Sequence, residues 1–465
     1  MSRRAARPLL VSLLAAALIA GSTSGAATAA QLDPAWSQAY DGPGTKDDVP
    51  RAQELSPDGS LVVTTGESAT PRARTNAVTI AHDATSGAVV WTAIENDGPD
   101  DGMFDVAFDP AGRRVYVTGR DGVDAGPSDD ALVVAYEATT GARLWKTSLQ
   151  VPQDRVQTTM IAVSPSGGRV VVAGRTWTAP VRTYVAGLDA ASGTPVWESF
   201  EGDAPGEGFR PIPVDLVFDP AGNAVTAATA LSRTGIGGDV HVVSYRGPTG
   251  QRRWATTYDG PAEGPDLAAE LAVAPTALFL VGSSERMGNR SDVLALSLAP
   301  DDGEIAWDAH WNGDGDGFDD GSSIAVRRDG GRLFLAGSTQ RTGTDPHEDY
   351  VVLARRASDG VGVWERTYDG PAHAVDVARQ ITRAEDGTLV VTGTSAGKGG
   401  DADVMTLAFD PSGLLRWKDR SGDPTGDDGG VAVTAGATLA FVTGWFARPP
   451  PIGQDIVVSA YQLAG

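Results

Sequence analysis

Beyond the first thirty residues, the apolar and polar positions of the chain fall into short alternating runs. Val106-Ala-Phe108, Val115-Tyr-Val-Thr118 and Leu132-Val-Val-Ala-Tyr136 are rich in β-branched and aromatic residues, and Asp-Pro-Ala-Gly or Ser-Pro-Asp-Gly turns separate such runs. This is the pattern of strands joined by tight turns. Helical spacing of apolar residues is found nowhere in the mature chain.

The runs repeat. Trp36, Trp91, Trp145, Trp197, Trp254, Trp307, Trp364 and Trp417 follow one another at 55, 54, 52, 57, 53, 57 and 53 residues, a period that signals repeated units. A glycine stands four residues before seven of them: Gly87, Gly141, Gly193, Gly250, Gly303, Gly360 and Gly413. Each of these glycines reads as a hairpin turn, and three further strands fit between one tryptophan strand and the next. Four antiparallel strands per repeat make a propeller blade. The chain opens with a lone strand at Trp36 to Tyr40 and ends, at Ile456 to Gln462, on a set of only three. The first strand is therefore expected to complete the last blade, giving an all-β propeller of eight blades over residues 30–465. Such closure leaves no terminal blade with an unpaired edge. The eight tryptophans read as structural wedges between neighbouring sheets, because a large ring at one fixed point per blade buries much apolar area.

Residues 1–29 read as a secretory signal peptide. Arg3, Arg4 and Arg7 precede the apolar run Pro8 to Ala20, and Ala27-Thr28-Ala29 supplies the small-residue cleavage pattern. No later stretch is apolar enough to span a membrane. The product is expected to be secreted or extracytoplasmic and monomeric. Composition sharpens this picture. Glycine supplies 58 of 465 residues, about 12 per cent against a typical ~7 per cent, as many turns require. A net charge of -23 argues against a nucleic-acid partner, whose phosphates need Lys and Arg. With no cysteine, disulfides, thiolate nucleophiles, Cys-ligated zinc and iron–sulfur clusters are excluded.

One end of the strands carries tight turns such as Pro57-Asp-Gly59, and the other carries longer Asp- and Gly-rich segments; any site is expected on this second, loop face. Asp48, Asp101, Asp319 and Asp376 each lie eleven residues before a turn glycine, with Asp266 and Asp428 in a similar place. Asp130, Asp239, Asp292, Asp349, Asp403 and Asp455 stand where the third strand begins. Such repetition points to loop hydrogen bonding rather than catalysis. The denser run Asn312-Gly-Asp314-Gly-Asp316-Gly-Phe318-Asp319-Asp320 suits a calcium loop, with Asp314, Asp316, Asp319 and Asp320 as ligands, although Phe318 and Ala325 break the EF-hand pattern.

The third and fourth blades depart from the pattern, with Val156 and Pro211 in place of the first aspartate and Arg182 in place of the second. Arg175, Trp177, Arg182, Phe209 and Arg210, with Trp445 in a loop position read as equivalent to Trp177, form a candidate cationic and aromatic ligand site. The five histidines are scattered singly without metal-ligand spacing, and no Gly-x-Ser-x-Gly elbow or phosphate loop is present.

The Ala-x-Asp-x-x-Thr/Ser-Gly-x-x-x-Trp run at Ala81 to Trp91, with its weaker copies, resembles the tryptophan-docking motif of the eight-bladed pyrroloquinoline-quinone-like propellers. The Tyr-Asp-Gly-Pro units at Tyr40, Tyr258 and Tyr368 resemble a bacterial β-propeller repeat of secreted proteins. The resemblance implies the fold. It leaves function between two classes: a cofactor-free module that binds an extracellular protein or glycan, or a quinoprotein dehydrogenase with the quinone over the central funnel and Ca²⁺ polarising its carbonyl. A chain without cysteine cannot form the adjacent-Cys disulfide of the alcohol-dehydrogenase branch, and no long insertion builds a substrate chamber. The expectation is therefore the non-catalytic binding module with no cofactor, or calcium at most; a quinone belongs to the alternative alone. A propeller hydrolase or lyase is a third reading, because the sequence does not show whether carboxylates or arginines meet at the centre.

Overall fold

The computed structural model describes residues 29–463, apart from positions 45, 72–73, 97, 99, 123–129, 153, 179, 203–208, 233–236, 263, 287–289, 342–346, 424–425 and 449–452. Apart from Ala29, the expected signal peptide lies outside the described residues. Among those described, no helix is long and apolar enough to cross a membrane.

Eight four-stranded antiparallel sheets follow one another along the chain, from Asp48–Leu55 in blade 1 to Gln454–Gln462 in blade 8. In each, the first strand lines a central channel and the fourth lies outermost. The ring closes as expected. Trp36–Tyr40 pairs antiparallel with the last strand, Trp36 opposite Ala460 and Tyr40 opposite Ile456, and so becomes the outer strand of blade 8. One feature has no counterpart in the sequence reading: Ala30–Gln31 adds a fifth, parallel strand to the outer edge of blade 7, opposite Trp417 and Lys418. Leu32 then packs into the core between blades 7 and 8.

The repeated Gly and Trp are partners across blades, not within one. The Trp91 indole donates to the Ala138 carbonyl at 2.7 Å, and Trp197 donates to that of Gly247 at 2.8 Å. Trp417, whose neighbour takes its fourth strand from the N-terminus, stacks on Tyr461 instead; the other seven rings reach the third-to-fourth-strand hairpin of the next blade. That hairpin holds the motif glycine: Gly141 has φ +69°, and a Cβ there would stand 2.6 Å from the Trp91 ring. Glycine is needed twice over at this position, for the left-handed backbone and for the indole lying against it. Trp91, Trp197, Trp254 and Trp417 are buried, while Trp36, Trp145, Trp307 and Trp364 are half-buried. The remaining core is aliphatic and aromatic residues between adjacent sheets, such as Val170, Val172, Tyr184 and Leu188 of blade 3 against Tyr116, Val133 and Ala135 of blade 2.

All eight first strands carry a β-bulge at one register position: Arg51, Phe104, Thr159, Val214, Ala269, Ser322, Arg379 and Val431. A bulge re-aims the side chains beside it. Here it turns one residue per blade toward the next blade at the channel wall.

Candidate functional site: the loop face and the central channel

On the loop face the first aspartate series serves the backbone. Asp48 accepts from Gly42 N–H at 2.7 Å, Asp101 from Gly98 and Gly122 at 3.0 Å each, Asp319 from Gly313 at 2.7 Å and Asp376 from Gly370 at 2.5 Å. Each carboxylate holds the loop that enters its own blade, which explains the repetition. Four of the six in the second series meet arginine: Arg286 pairs with Asp292 at 3.2 Å and Arg341 with Asp349 at 2.5 Å, while Arg420 grips Asp403 and Arg448 grips Asp455; Asp130 accepts instead from the Gln150 amide at 2.6 Å. Arg341 and Arg448 each reach a second carboxylate as well, Asp369 at 3.4 Å and Asp41 at 3.1 Å.

Asp314, Asp316, Asp319 and Asp320 do not converge. Asp316 is held by Arg286 and Arg290, Asp319 by Gly313 N–H and the Thr339 hydroxyl, and Asp320 by the Ser291 hydroxyl at 3.1 Å. Among the described residues, carboxylate oxygens or imidazole nitrogens from three side chains come within 4.8 Å of one another only elsewhere: at Asp41, Asp48 and Asp455; at His347, Asp349 and Asp369; and at Asp239, Asp259 and Asp266. Arginine spans two acids in each of the first two groups. In the third, burial first and the neighbouring carboxylates second push Asp239 upward from the ordinary carboxylate range.

The cationic and aromatic residues divide over the two flanks of blade 3. Arg175 lies over the Trp177 ring, its guanidinium carbon 3.8 Å from the centroid, and Arg182 lies over Phe200 at 4.2 Å. Arg175 shares the strand face of Val171 and Ala173, which pack on blade 4; Arg182 shares that of Tyr184, which packs on blade 2. Trp177, at the hairpin tip, is 47% exposed. Arg210 opens the first strand of blade 4, opposite Leu231, and is exposed; the Phe209 side chain lies outside the described residues. Trp445 sits on blade 8, its ring packed over Gly429. By pairing register it corresponds to Arg175 rather than to Trp177, because Gly174 and Gly444 hold the same place beside the bulge.

The channel holds what sequence reasoning could not place. A cavity of ≈ 720 Å³ is lined by Arg51, Glu54, Asp105, Asp215, Glu270 and Arg379, among others. Next to the bulge, Asp105 accepts from Ile161 N–H of blade 3 at 2.8 Å, Asp215 from Leu271 N–H of blade 5 at 2.7 Å and Glu270 from Ile324 N–H of blade 6 at 2.8 Å. Ser323 and Gln380 make the same tie without charge, at 3.1 and 2.7 Å. Burial pushes Glu54 and Glu270 up to about 8, Asp105 to about 7 and Asp215 to about 6; carboxylate repulsion adds to this at Glu54, Asp105 and Glu270. Arg51 is taken up by Glu67, whose other oxygen meets Arg120 at 3.0 Å.

Eight four-stranded blades, closed by the N-terminal strand and locked by an indole from each to the next, settle the architecture. The chain resembles the pyrroloquinoline-quinone-like eight-bladed propellers. Residues 74–295 match the family model described as outer membrane protein assembly factor BamB. No curated protein matches the sequence. Among solved structures, BamB from Moraxella catarrhalis aligns with TM-score 0.51 at 14% identity, covering 93% of this chain and 100% of that one. A quinohemoprotein alcohol dehydrogenase from Pseudomonas putida HK5 aligns with TM-score 0.57 at 14% identity, over 94% of this chain and 77% of its own. Chaetomium thermophilum Sqt1, bound to the N-terminus of the ribosomal protein L10, aligns with TM-score 0.58 at 15% identity, over 93% and 100%. At such identities the likeness is one of fold, and a fold hosts many functions.

The quinone that some of these relatives carry suits this channel poorly. Pyrroloquinoline quinone is a planar tricarboxylate; among the described residues the aromatic side chains lining the cavity are Phe104 and Phe218, with no indole to stack on it, and of the two lining arginines Arg51 is already taken up by Glu67.

Proposed function

We propose that the protein is a non-catalytic, extracytoplasmic binding module that holds an extracellular protein or glycan on its loop face. The carrying observation is how the loop-face charges are used. Most aspartates of the regular blades hold loop backbone or arginine, whereas blade 3 presents Arg175, Arg182 and an exposed indole that do not recur around the ring. The similarity to BamB and to Sqt1, a propeller seen with a bound protein segment, agrees with this reading. The test is reconstitution of purified protein with quinone and Ca²⁺ in a dye-reduction assay. Absence of turnover at saturating cofactor is expected; turnover that Asp105→Asn abolishes would replace the binding module with a dehydrogenase.

One observation favours a second reading. Glu54, Asp105, Asp215 and Glu270 line one cavity, and burial holds all four above the ordinary carboxylate range, a setting that the acid–base chemistry of a hydrolase or lyase uses. Turnover of a glycoside or uronide substrate, lost in Asp215→Asn, would establish it.

A further inference from the structure

We propose that blade 3 docks an acidic segment of a partner protein, with Arg175 and Arg182 gripping carboxylates on either side of Trp177. The proposal rests on the binding-module reading and adds the chemistry of the partner.

The first ground is charge. In blades 5, 6, 7 and 8 an arginine on the loop face answers an aspartate within its own blade: Arg286 with Asp292, Arg341 with Asp349, Arg420 with Asp403, Arg448 with Asp455. Blade 3 keeps the cations and lacks the acid, for Arg182 stands where the others have aspartate. Among the described residues no carboxylate lies within ion-pair distance of Arg175 or Arg182. The acids nearest in sequence are spent: Asp154 accepts from Arg155, Trp177 and Thr178 N–H, Glu198 from the Tyr184 hydroxyl at 2.7 Å, and Glu201 from Arg252 at 3.0 Å. Burial also pushes Arg175 below its ordinary value, as expected of a cation without a counter-ion.

The second ground is geometry. A guanidinium stacked on a ring is held flat, and its N–H edge stays available for a bidentate carboxylate. Arg175 and Arg182 both lie over rings, on opposite flanks of one blade, the Arg182 Nε buried without a partner, and Trp177 is exposed in the hairpin that joins their strands. Two anions separated by an apolar contact are therefore the complement. An extended segment with acidic residues around a hydrophobic one offers that. A sugar platform fits less well: Arg175 already covers one face of the Trp177 ring, and the stacked side chains beside it are cations rather than amide or hydroxyl groups. On a chain of net charge -23, such a patch also draws an acidic partner to one place and repels it elsewhere.

The experiment is fluorescence anisotropy with a fluorescein-labelled octapeptide of Asp and Glu around a central Leu, against the full chain at low salt, with Trp emission read in parallel. Saturable binding is expected, weakened at least ~10-fold by Arg175→Gln with Arg182→Gln and weakened further by added salt, with the melting temperature of the variant unchanged. Absence of saturable binding, or equal binding by the variant, overturns the proposal. Tighter binding of an oligogalacturonate of matched charge gives the site to an acidic glycan and overturns it too. Failure here leaves the binding-module reading standing, since the quinone assay decides that separately.

Discussion

Blades 3 and 6 share one plan and finish their loop ends differently. In blade 6, Arg341 follows the second strand and lies between Asp349 at 2.5 Å and Asp369 at 3.4 Å, closing its own charge balance. In blade 3, Arg175 and Arg182 rest on aromatic rings with no carboxylate among the described residues in ion-pair distance, and Trp177 is 47% exposed. Both blades keep the same inner-strand bulge, and the indoles of both donate to the following blade, Trp197 at 2.8 Å and Trp364 at 3.1 Å. What recurs around the ring is thus what the fold demands. The crest of blade 3 does not recur, and it is there that the proposed partner would bind.

The largest expected effect lies on the recurring side. Deleting residues 30–40 removes the closing strand of blade 8 together with the parallel strand that covers the edge of blade 7. A markedly lower melting temperature or aggregation should follow, read by circular dichroism, since an open ring exposes unpaired edges. An unchanged midpoint would remove the N-terminal segment from the recurring frame. Trp91→Ala comes next: it empties a buried indole site and loses the bond to Ala138, at about 3 to 5 kcal/mol by denaturant unfolding.

Smaller effects separate the two crests. Arg341→Gln leaves the buried Asp349 without its guanidinium and should cost roughly 1 to 2 kcal/mol, reduced by the half-exposure of the arginine. Arg175→Gln should cost less, about 0.5 to 1 kcal/mol, because what it loses is a half-buried cation's contact with one exposed ring and no ion pair. Equal costs would erase the distinction between the blades.

The channel belt adds a pH test of the frame that both blades share. Glu54, Asp105, Asp215 and Glu270 are raised by burial above their unfolded values, so the folded chain holds more protons than the unfolded one between about pH 4 and 8. Their contribution is complete below the unfolded values and is lost as pH rises through about 6 to 8. The melting temperature should fall over that window, and Asp105→Asn, which keeps an acceptor for Ile161 N–H, should flatten the fall. A melting temperature that rises from pH 5 to 8 would contradict the burial of these groups.

Much of the frame was legible in the sequence. Eight tryptophans at a 52 to 57 residue period and a lone strand at Trp36 define the blade count and the closure. The site was less legible, for physical reasons. The bulge shifts register by one residue without changing the composition of the strand, so Asp105, Asp215 and Glu270 look like ordinary polar positions until pairing shows them at one equivalent place in their blades. Alternation also hides that Arg175 and Arg182, close in sequence, fall on opposite flanks of their blade. Loop position alone likened Trp445 to Trp177, whereas register equates it with Arg175. Ala30–Gln31 is too short a strand to show a period.

The central claim, that the ring is scaffold and the crest of blade 3 is the binding surface, is tested most directly by Trp177→Ala and Trp91→Ala prepared side by side, each measured for melting temperature and for anisotropy with the acidic peptide. The account predicts a double dissociation: Trp177→Ala melts like the parent and loses binding, while Trp91→Ala melts several degrees lower and, where folded, binds as before. Trp177→Ala that lowers the melting temperature and leaves binding intact would contradict it.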